Sequence, residues 1–172
     1  MELFDIYDQE RRLTGRTAER GTKLSVGDFR LVVNLSILNS DNQLLIQQRQ
    51  PFKEGWPNMW DISADGSAVS GETSQEAIAR ETQEEIGLHH DFSEMRPFFT
   101  LNFDEGFDDY YMLYQDITLS ELKLQTSEVQ AVKWATREVV QALILSGEFI
   151  PYHKSVIDLL FDLNGVYGGH DL

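Results

Sequence analysis

The sequence predicts one α+β domain, a sheet of short strands packed with a few helices. Two observations carry this. Short apolar and β-branched runs recur between clusters of turn residues, the pattern of strands in a sheet. One stretch, Ser74 to Ile86, has no Gly or Pro and is rich in Ala, Gln, Glu and Arg, which favour helix.

In chain order, residues 2–28 read as a short strand or hairpin arm, with turn signals at Asp8-Gln9-Glu10 and Thr14-Gly15. Phe29 to Leu38 is apolar and β-branched, hence a strand. Asn39-Ser40-Asp41-Asn42 is a turn, and Leu44 to Arg49 returns as the partner strand. Pro51 to Pro57 is a loop, Trp60 to Ala64 a short strand, and Asp65 to Glu72 a loop leading into the helix. Thr73 suits the N-cap, with Glu76 completing a capping box, and Gly87 suits the left-handed residue that ends a helix. Ile78, Thr82 and Ile86 give that helix a narrow packing stripe. Glu94 to Phe103 and Tyr110 to Ile117 read as strands around the acidic turn Asp104-Glu105-Gly106. Val129 to Ala135 is another strand, and Arg137 to Leu145 and His153 to Leu163 read as helices. The expected division is an arm at 1–28 packed on a domain at 29–164, with a flexible tail at 165–172. No internal repeat or interdomain linker interrupts it.

Composition narrows the function. At 172 residues and 41% hydrophobic, the chain can bury a real core. No apolar run has membrane-spanning length and no basic-then-apolar leader is present, so the expected address is the cytoplasm, without a membrane partner. The absence of Cys excludes disulfides, thiolate zinc sites and cysteine nucleophiles. A net charge of −15 argues against a nucleic-acid partner, because such binding rests on Lys and Arg neutralising phosphates. It also means that a small phosphorylated substrate needs a cation to offset repulsion.

The helix supplies a place for one. Its C-terminal end carries Glu81, Glu84 and Glu85, three acids with overlapping directions at the partially negative end. Each is unfavourable there by roughly 0.3–1 kcal/mol, and Arg80 offsets only part of that. A hard divalent cation with oxygen ligands would resolve the excess; a solvated acidic face is the alternative.

The spacing around these acids decides between the two. Gly66, Glu72, Arg80, Glu81, Glu84, Glu85 and Gly87 follow the pattern G-x5-E-x7-R-E-x-x-E-E-x-G. Seven such positions arise by chance on the order of once per million chains of this length. The stretch 66–88 resembles the Nudix box, the signature of the Nudix hydrolases, with Thr82 in a position that is usually aliphatic. DIYDQERRLTGRTAERG, LLIQQRQPFKEGWPNMWDIS, VKWATREV and GEFIPYHKSVIDLLF resemble the Nudix branch that is similar in sequence to isopentenyl diphosphate isomerase.

The resemblance implies a Nudix α/β/α sandwich with a mixed central sheet, formed by residues 29–164. It implies Mg²⁺, with Mn²⁺ as the substitute, held by Glu81, Glu84, Glu85 and the Gly66 carbonyl. Glu81 or Glu85 would ligate the metal or accept the proton of the attacking water. Arg80 would orient the carboxylates, with Glu72 as its partner. In this superfamily the base sometimes lies on a later loop, and Glu128 is the candidate for that role or for a further ligand; an ordinary surface Glu is the alternative. Arg49 is a candidate phosphate contact or a surface Arg. Trp56, Trp60, Phe107 and Tyr110 are stacking candidates, though aromatics beside short strands more often belong to the core. The four His lack metal-binding spacing.

The chain departs from the isomerase pattern. That chemistry needs a catalytic Cys, and Ala64 lies near where it would fall; Arg30, Asn34 and Ser67 stand where His is common. Asp65 adds a charge beside Gly66. The expected function is therefore Mg²⁺-dependent hydrolysis of a diphosphate bond in a small molecule, with a nucleoside diphosphate derivative as the default substrate. The alternatives are the isomerase, disfavoured by the missing Cys, and a non-catalytic nucleotide sensor, disfavoured by the intact box. Pairing is common in the superfamily, which leaves a homodimer open.

Overall fold

The computed structural model describes residues 2–170. In chain order the strands and helices are β1 (Leu3–Tyr7), β2 (Leu13–Glu19), β3 (Arg30–Leu38), β4 (Leu44–Arg49), β5 (Trp60–Asp61), β6 (Ala64–Ser67), α1 (Ser74–Ile86), β7 (Phe99–Phe103), β8 (Gly106–Tyr114), β9 (Val129–Ala135), α2 (Arg137–Ser146) and α3 (Lys154–Asp162). β1 and β2 form a separate hairpin, and the other seven strands form one mixed sheet. β3 is its axis, parallel to β8 along one edge and antiparallel to β6 on the other.

Side-chain alternation along β3 sets the layers. Leu31, Val33, Leu35 and Ile37 pack with Ala77, Ile78 and Ile86 of α1. The opposite face gathers Ile46, Ile62, Tyr110 and Met112 against Val140 of α2 and Ile157, Leu160 and Phe161 of α3. Helices thus cover both faces, giving the expected α/β/α sandwich with a mixed central sheet. α1 has the full capping box, Thr73 with Glu76, and ends at Gly87 with φ 68°. Gly87 serves a second need, because a Cβ there would lie 2.7 Å from Lys123 Cβ. The unusual Thr82 is fully buried and donates its hydroxyl to the Ile78 carbonyl at 2.6 Å. That bond removes the cost of a bare polar atom in the core.

The sheet departs from the sequence reading in three places. The β3–β4 hairpin closes at a single register pair, Leu38 with Leu44, and then opens; β4 pairs instead with β9 and β5. Ser63 bridges the opening: its hydroxyl accepts from the Ile37 amide at 2.8 Å and donates to the Leu45 carbonyl at 2.6 Å. The expected Asp65–Glu72 loop starts as strand β6, although Ala-Asp-Gly-Ser has little strand propensity; pairing with Val32 to Leu35 overrides it. β8 begins at Gly106, earlier than the sequence suggests, because Asp108 and Asp109 mask the pattern, and the Glu94 end of the preceding expected strand is irregular.

Asp109 is fully buried and explains itself through its partners. Arg11, in the turn between β1 and β2, forms a two-pronged ion pair with it, with Nη1 to Oδ1 at 2.8 Å. The Ser74 and Thr100 hydroxyls donate to the same carboxylate at 2.6 and 2.7 Å. Tyr7 and Phe29 also exchange backbone hydrogen bonds, and Ser70 and Gly71 donate to Leu3 O and the Asp5 carboxylate, so the hairpin is held to the domain at several points. In the C-terminal segment Tyr167 stacks on Phe98 with ring centroids 4.0 Å apart; residues 171 and 172 of the expected tail, and Met1 of the expected arm, lie outside the described residues. Removing one member of a buried ion pair leaves an uncompensated charge, costing about 3–5 kcal/mol. Arg11→Met is therefore expected to lower stability by about 3 kcal/mol in urea unfolding, and a loss below about 1 kcal/mol would show that the pair contributes little.

Candidate active site

The C-terminal half of α1 lies against β6, and the opening between β3 and β4 admits its acids. Glu85 is 5% exposed. Its Oε2 accepts from Gln47 Nε2 on β4 at 2.8 Å and from the Asp65 amide on β6 at 3.1 Å. Burial, followed by the charges of Asp65 and Glu81, pushes its pKa well above the ordinary carboxylate range.

Glu81 rests against the bare Cα of Gly66. A Cβ at residue 66 would lie 2.0 Å from Glu81 Oε1, so glycine is required for close approach and not for backbone conformation. Burial raises the Glu81 pKa to about 7, even though Arg80 pulls it down. Glu84 is more open, with its side chain 48% exposed.

Arg80 spends its guanidinium on the whole group. Nε and Nη2 grip Glu72 at 2.7 and 3.0 Å, Nη2 also donates to the Ser67 carbonyl at 3.1 Å, and Nη1 reaches Glu81 at 2.9 Å and Glu84 at 3.2 Å. Glu72 in turn accepts from the Val69 amide at 2.9 Å. The loop into α1 and the helix are thereby clasped together through the Arg80–Glu72 pair.

Glu128 arrives from the far side of the chain. The segment before β9 is stitched to the end of α1, where the Lys123 amide donates to Ile86 O and the Gln125 amide to Glu85 O, each at 3.0 Å. These bonds satisfy helix-terminal carbonyls. They also bring Glu128 to the cleft, where it pairs with Lys53. Glu81, Glu84, Glu85, Glu128, Arg80, Gly66, Asp65 and Arg49 line one cleft of about 250 Å³. Arg49 Nη1 sits 3.7 Å from Asp61 and 3.6 Å from Asp65, and its Nε donates to the Gly55 carbonyl at 3.1 Å.

The sequence reading missed Gln47, Asp61 and Lys53. Asp61 is buried, accepts from Tyr152 Oη at 2.9 Å, and has its pKa raised by burial and then by the Asp65 charge. Its one sequence signal is an acid inside an apolar strand pattern; Gln47 and Lys53 have none. The stacking candidates are placed elsewhere: Phe107 and Tyr110 are core residues, Trp60 packs in the apolar cluster facing α2 and α3 with Lys133 Nζ 4.2 Å from its ring centroid, and Trp56 lines neither this cleft nor the groove beside it. His89 and His90 are exposed beyond α1.

The fit to a divalent cation can be tested on these groups. Among the described residues no three carboxylate or imidazole groups are already closed around a common point. The carboxylates turn instead to Arg80, Gln47 and the Asp65 amide. Three features nevertheless suit a cation: the donors are all oxygen, the last turn of α1 has no basic residue, and the buried Asp65 Oδ1 lacks a hydrogen-bond partner.

Comparison with known proteins agrees with this geometry. The NUDIX domain family matches residues 28–160. An uncharacterised Nudix hydrolase of Listeria monocytogenes is 50% identical over 163 residues, covering 95% of each chain. A Deinococcus radiodurans crystal structure superposes with a TM-score of 0.77 at 26% identity, over 92% of this chain and 99% of that one. An isopentenyl-diphosphate Delta-isomerase of Salmonella typhi is 25% identical over 145 residues, 81% of this chain and 80% of that protein, which is the distant similarity the sequence suggested. With the box acids gathered at one end of α1 and the family match spanning the whole sandwich, the chain belongs to the Nudix family, as a Nudix-type hydrolase of diphosphate or related anhydride bonds.

Proposed function

We propose that the protein is a Mg²⁺-dependent hydrolase that cleaves a diphosphate bond in a small molecule, with a nucleoside diphosphate derivative as the default substrate. The observation that carries this reading is the convergence of Glu81, Glu84, Glu85 and Glu128 on one cleft, with Glu81 seated on Gly66. Glu81, Glu84, Glu85 and the Gly66 carbonyl would hold the cation, and hard oxygen donors favour Mg²⁺ or Mn²⁺. When bound, such an ion lowers the pKa of a water and neutralises charge on the leaving phosphate.

The chain's own groups do the rest. Arg80 holds Glu81 and Glu84 in register, and Glu72 holds Arg80. Glu81, with a pKa near 7, and Glu85 are candidates to take the proton of the attacking water; Glu128, at the cleft wall, is the third. Arg49 would meet a phosphate oxygen. The isomerase alternative lacks its thiol: no Cys is present, and Ala64 is fully buried in the core. Retained ligand binding without Mg²⁺-dependent turnover would favour the sensor alternative.

The test is phosphate or pyrophosphate release from nucleoside diphosphates, nucleotide sugars, dinucleotides and isopentenyl diphosphate, with Mg²⁺ and with EDTA. EDTA-sensitive hydrolysis of one class is expected. Glu85→Gln keeps the acceptor for Gln47 and Asp65, so it should fold normally and lose about 10²-fold or more in turnover; parental activity would dismiss the assigned site. Gly66→Ala drives a methyl into Glu81 and is expected to cost about tenfold or more in kcat/KM, with cooperative unfolding retained. The third test is pH. Glu81 titrates near 7 in the fold against 4.5 ordinarily, and Glu85 shifts the same way, so the native state holds more protons than the unfolded chain across that window. Without metal, Tm should fall as pH rises from about 5 to about 7.5, and Mg²⁺ should restore it most at the upper end. A metal-free Tm that rises over this range would mean that Arg80 outweighs burial.

A further inference from the structure

A second, larger groove of about 820 Å³ adjoins the 250 Å³ carboxylate cleft and shares Arg20, Arg49, Lys53 and Glu128 with it. Its walls come from the segment after β2, the start of β3, the end of β4 with the loop after it, and the turn before β8, with Phe4 of β1, Ser67 of β6 and Glu128 before β9. Arg20, Lys23, Arg30, Arg49 and Lys53 all line it, five of the chain's 14 Lys and Arg. The acids there are Glu54, Glu105 and Glu128, so the groove is net positive in a chain of net charge −15. The aromatic lining is Phe4, itself buried, and Phe52.

The cations fall into two groups. Arg49 and Lys53 face the cleft and are matched there to Asp61, Asp65 and Glu128. Lys23 and Arg30 stand on the outer side, and Arg20 lies at the junction, lining both the groove and the cleft. Arg20 pairs at 2.7 Å with Glu2, an exposed contact that a stronger anion can displace. Lys23 is exposed, and neither it nor Arg30 has a carboxylate within salt-bridge distance among the described residues. Arg30 is half-buried, lies 5.5 Å from the Phe103 ring centroid, and donates to Ser67 Oγ at 3.0 Å. Ser67 directly follows Gly66, so the fork of Arg30 sits beside the box, on the outer side of β6. Arg30 has no carboxylate within salt-bridge distance among the described residues, and Asp108 feels its charge only from further off, so its half-buried fork keeps hydrogen-bonding capacity for an anion from outside the protein.

We propose that the substrate carries, beyond the diphosphate that is cleaved, at least one further phosphate group, held by Arg20, Lys23 and Arg30. This rests on the hydrolase reading and specifies its substrate class. The smaller cleft accommodates the scissile diphosphate; the groove is about three times larger and is lined by five cations beside one exposed aromatic, Phe52, so it favours an anionic organic part. A phosphorylated sugar or polyol diphosphate and a nucleoside diphosphate with a phosphate on its ribose share this chemistry.

The test uses matched pairs with and without the additional phosphate: a nucleoside 5′-diphosphate against its 3′-phosphorylated form, and a sugar diphosphate against its further phosphorylated form. The phosphorylated member of at least one pair should have about tenfold higher kcat/KM, and the pair that shows it identifies the source. In Arg30→Gln the ratio within the pair should fall to about one, and in the exposed Lys23→Gln, which leaves the fold intact, by about threefold. Equal rates within both pairs, with Mg²⁺-dependent turnover, would overturn this inference and leave the hydrolase reading standing. An equal loss on both members in the variants would overturn it too, placing these cations on the scissile diphosphate. Ligand-induced thermal shifts in EDTA give a readout independent of turnover. With no turnover on any compound, a tighter shift by the phosphorylated member that is lost in Arg30→Gln would support the anion site and count against the hydrolase; no difference in shift would overturn the site.

Discussion

The constraint on which the site depends is the burial of the Glu85 carboxylate at the negative end of a helix. Charge in such a place must be met by hydrogen bonds from fixed groups. Gln47 on β4 and the Asp65 amide on β6 meet it at the same oxygen, Oε2. That is possible because β3 and β4 part after one register pair, with Ser63 spanning the gap. The irregularity in the sheet is thus the seat of its most costly side chain. A regular hairpin would have satisfied more backbone groups locally and left the carboxylate without partners.

Around this seat, each support answers a different demand. Gly66 supplies space, Arg80 supplies countercharge, and Glu72 fixes Arg80 from the preceding loop. The amides of Lys123 and Gln125 satisfy the carbonyls that end α1 and carry Glu128 inward. Partial compensation is the common property. The Arg80 guanidinium faces three carboxylates, and Asp65 Oδ1 accepts no hydrogen bond, with Arg49 Nη1 3.6 Å away. Protein groups alone do not neutralise the cluster, which is the physical reason a divalent ion belongs in the reading.

Much of this was legible in the sequence because it is local. The capping box of α1 and its end at Gly87 follow from spacing along a few turns of chain. The Val129–Ala135 strand was legible for the same reason. Non-local pairing was not. β6 is a strand only because β3 lies beside it, and Gln47 matters only because Glu85 reaches it across 38 residues of chain. Asp109 looked like a strand breaker because its partner Arg11 lies 98 residues away. Phe107 and Tyr110 lie on opposite faces of β8 and are both buried because helices or the β1–β2 hairpin cover each face, the core placement that aromatics beside strands more often take.

The Arg11–Asp109 pair bears on how firmly the groove is held together. An isolated two-stranded ribbon is marginal in water, so β1 and β2 depend on docking to the sheet for persistence. One of their docking contacts, Arg11 with Asp109, spans 98 residues of chain, whereas the Tyr7–Phe29 bridge spans far fewer. Arg20 and Lys23 follow this ribbon directly. One wall of the groove therefore rests on a two-stranded ribbon held by its docking contacts, the kind of segment that opens locally at lower cost than the sheet that carries the carboxylates. The protein has in effect two thresholds of integrity, one for the fold and a lower one for the completed groove.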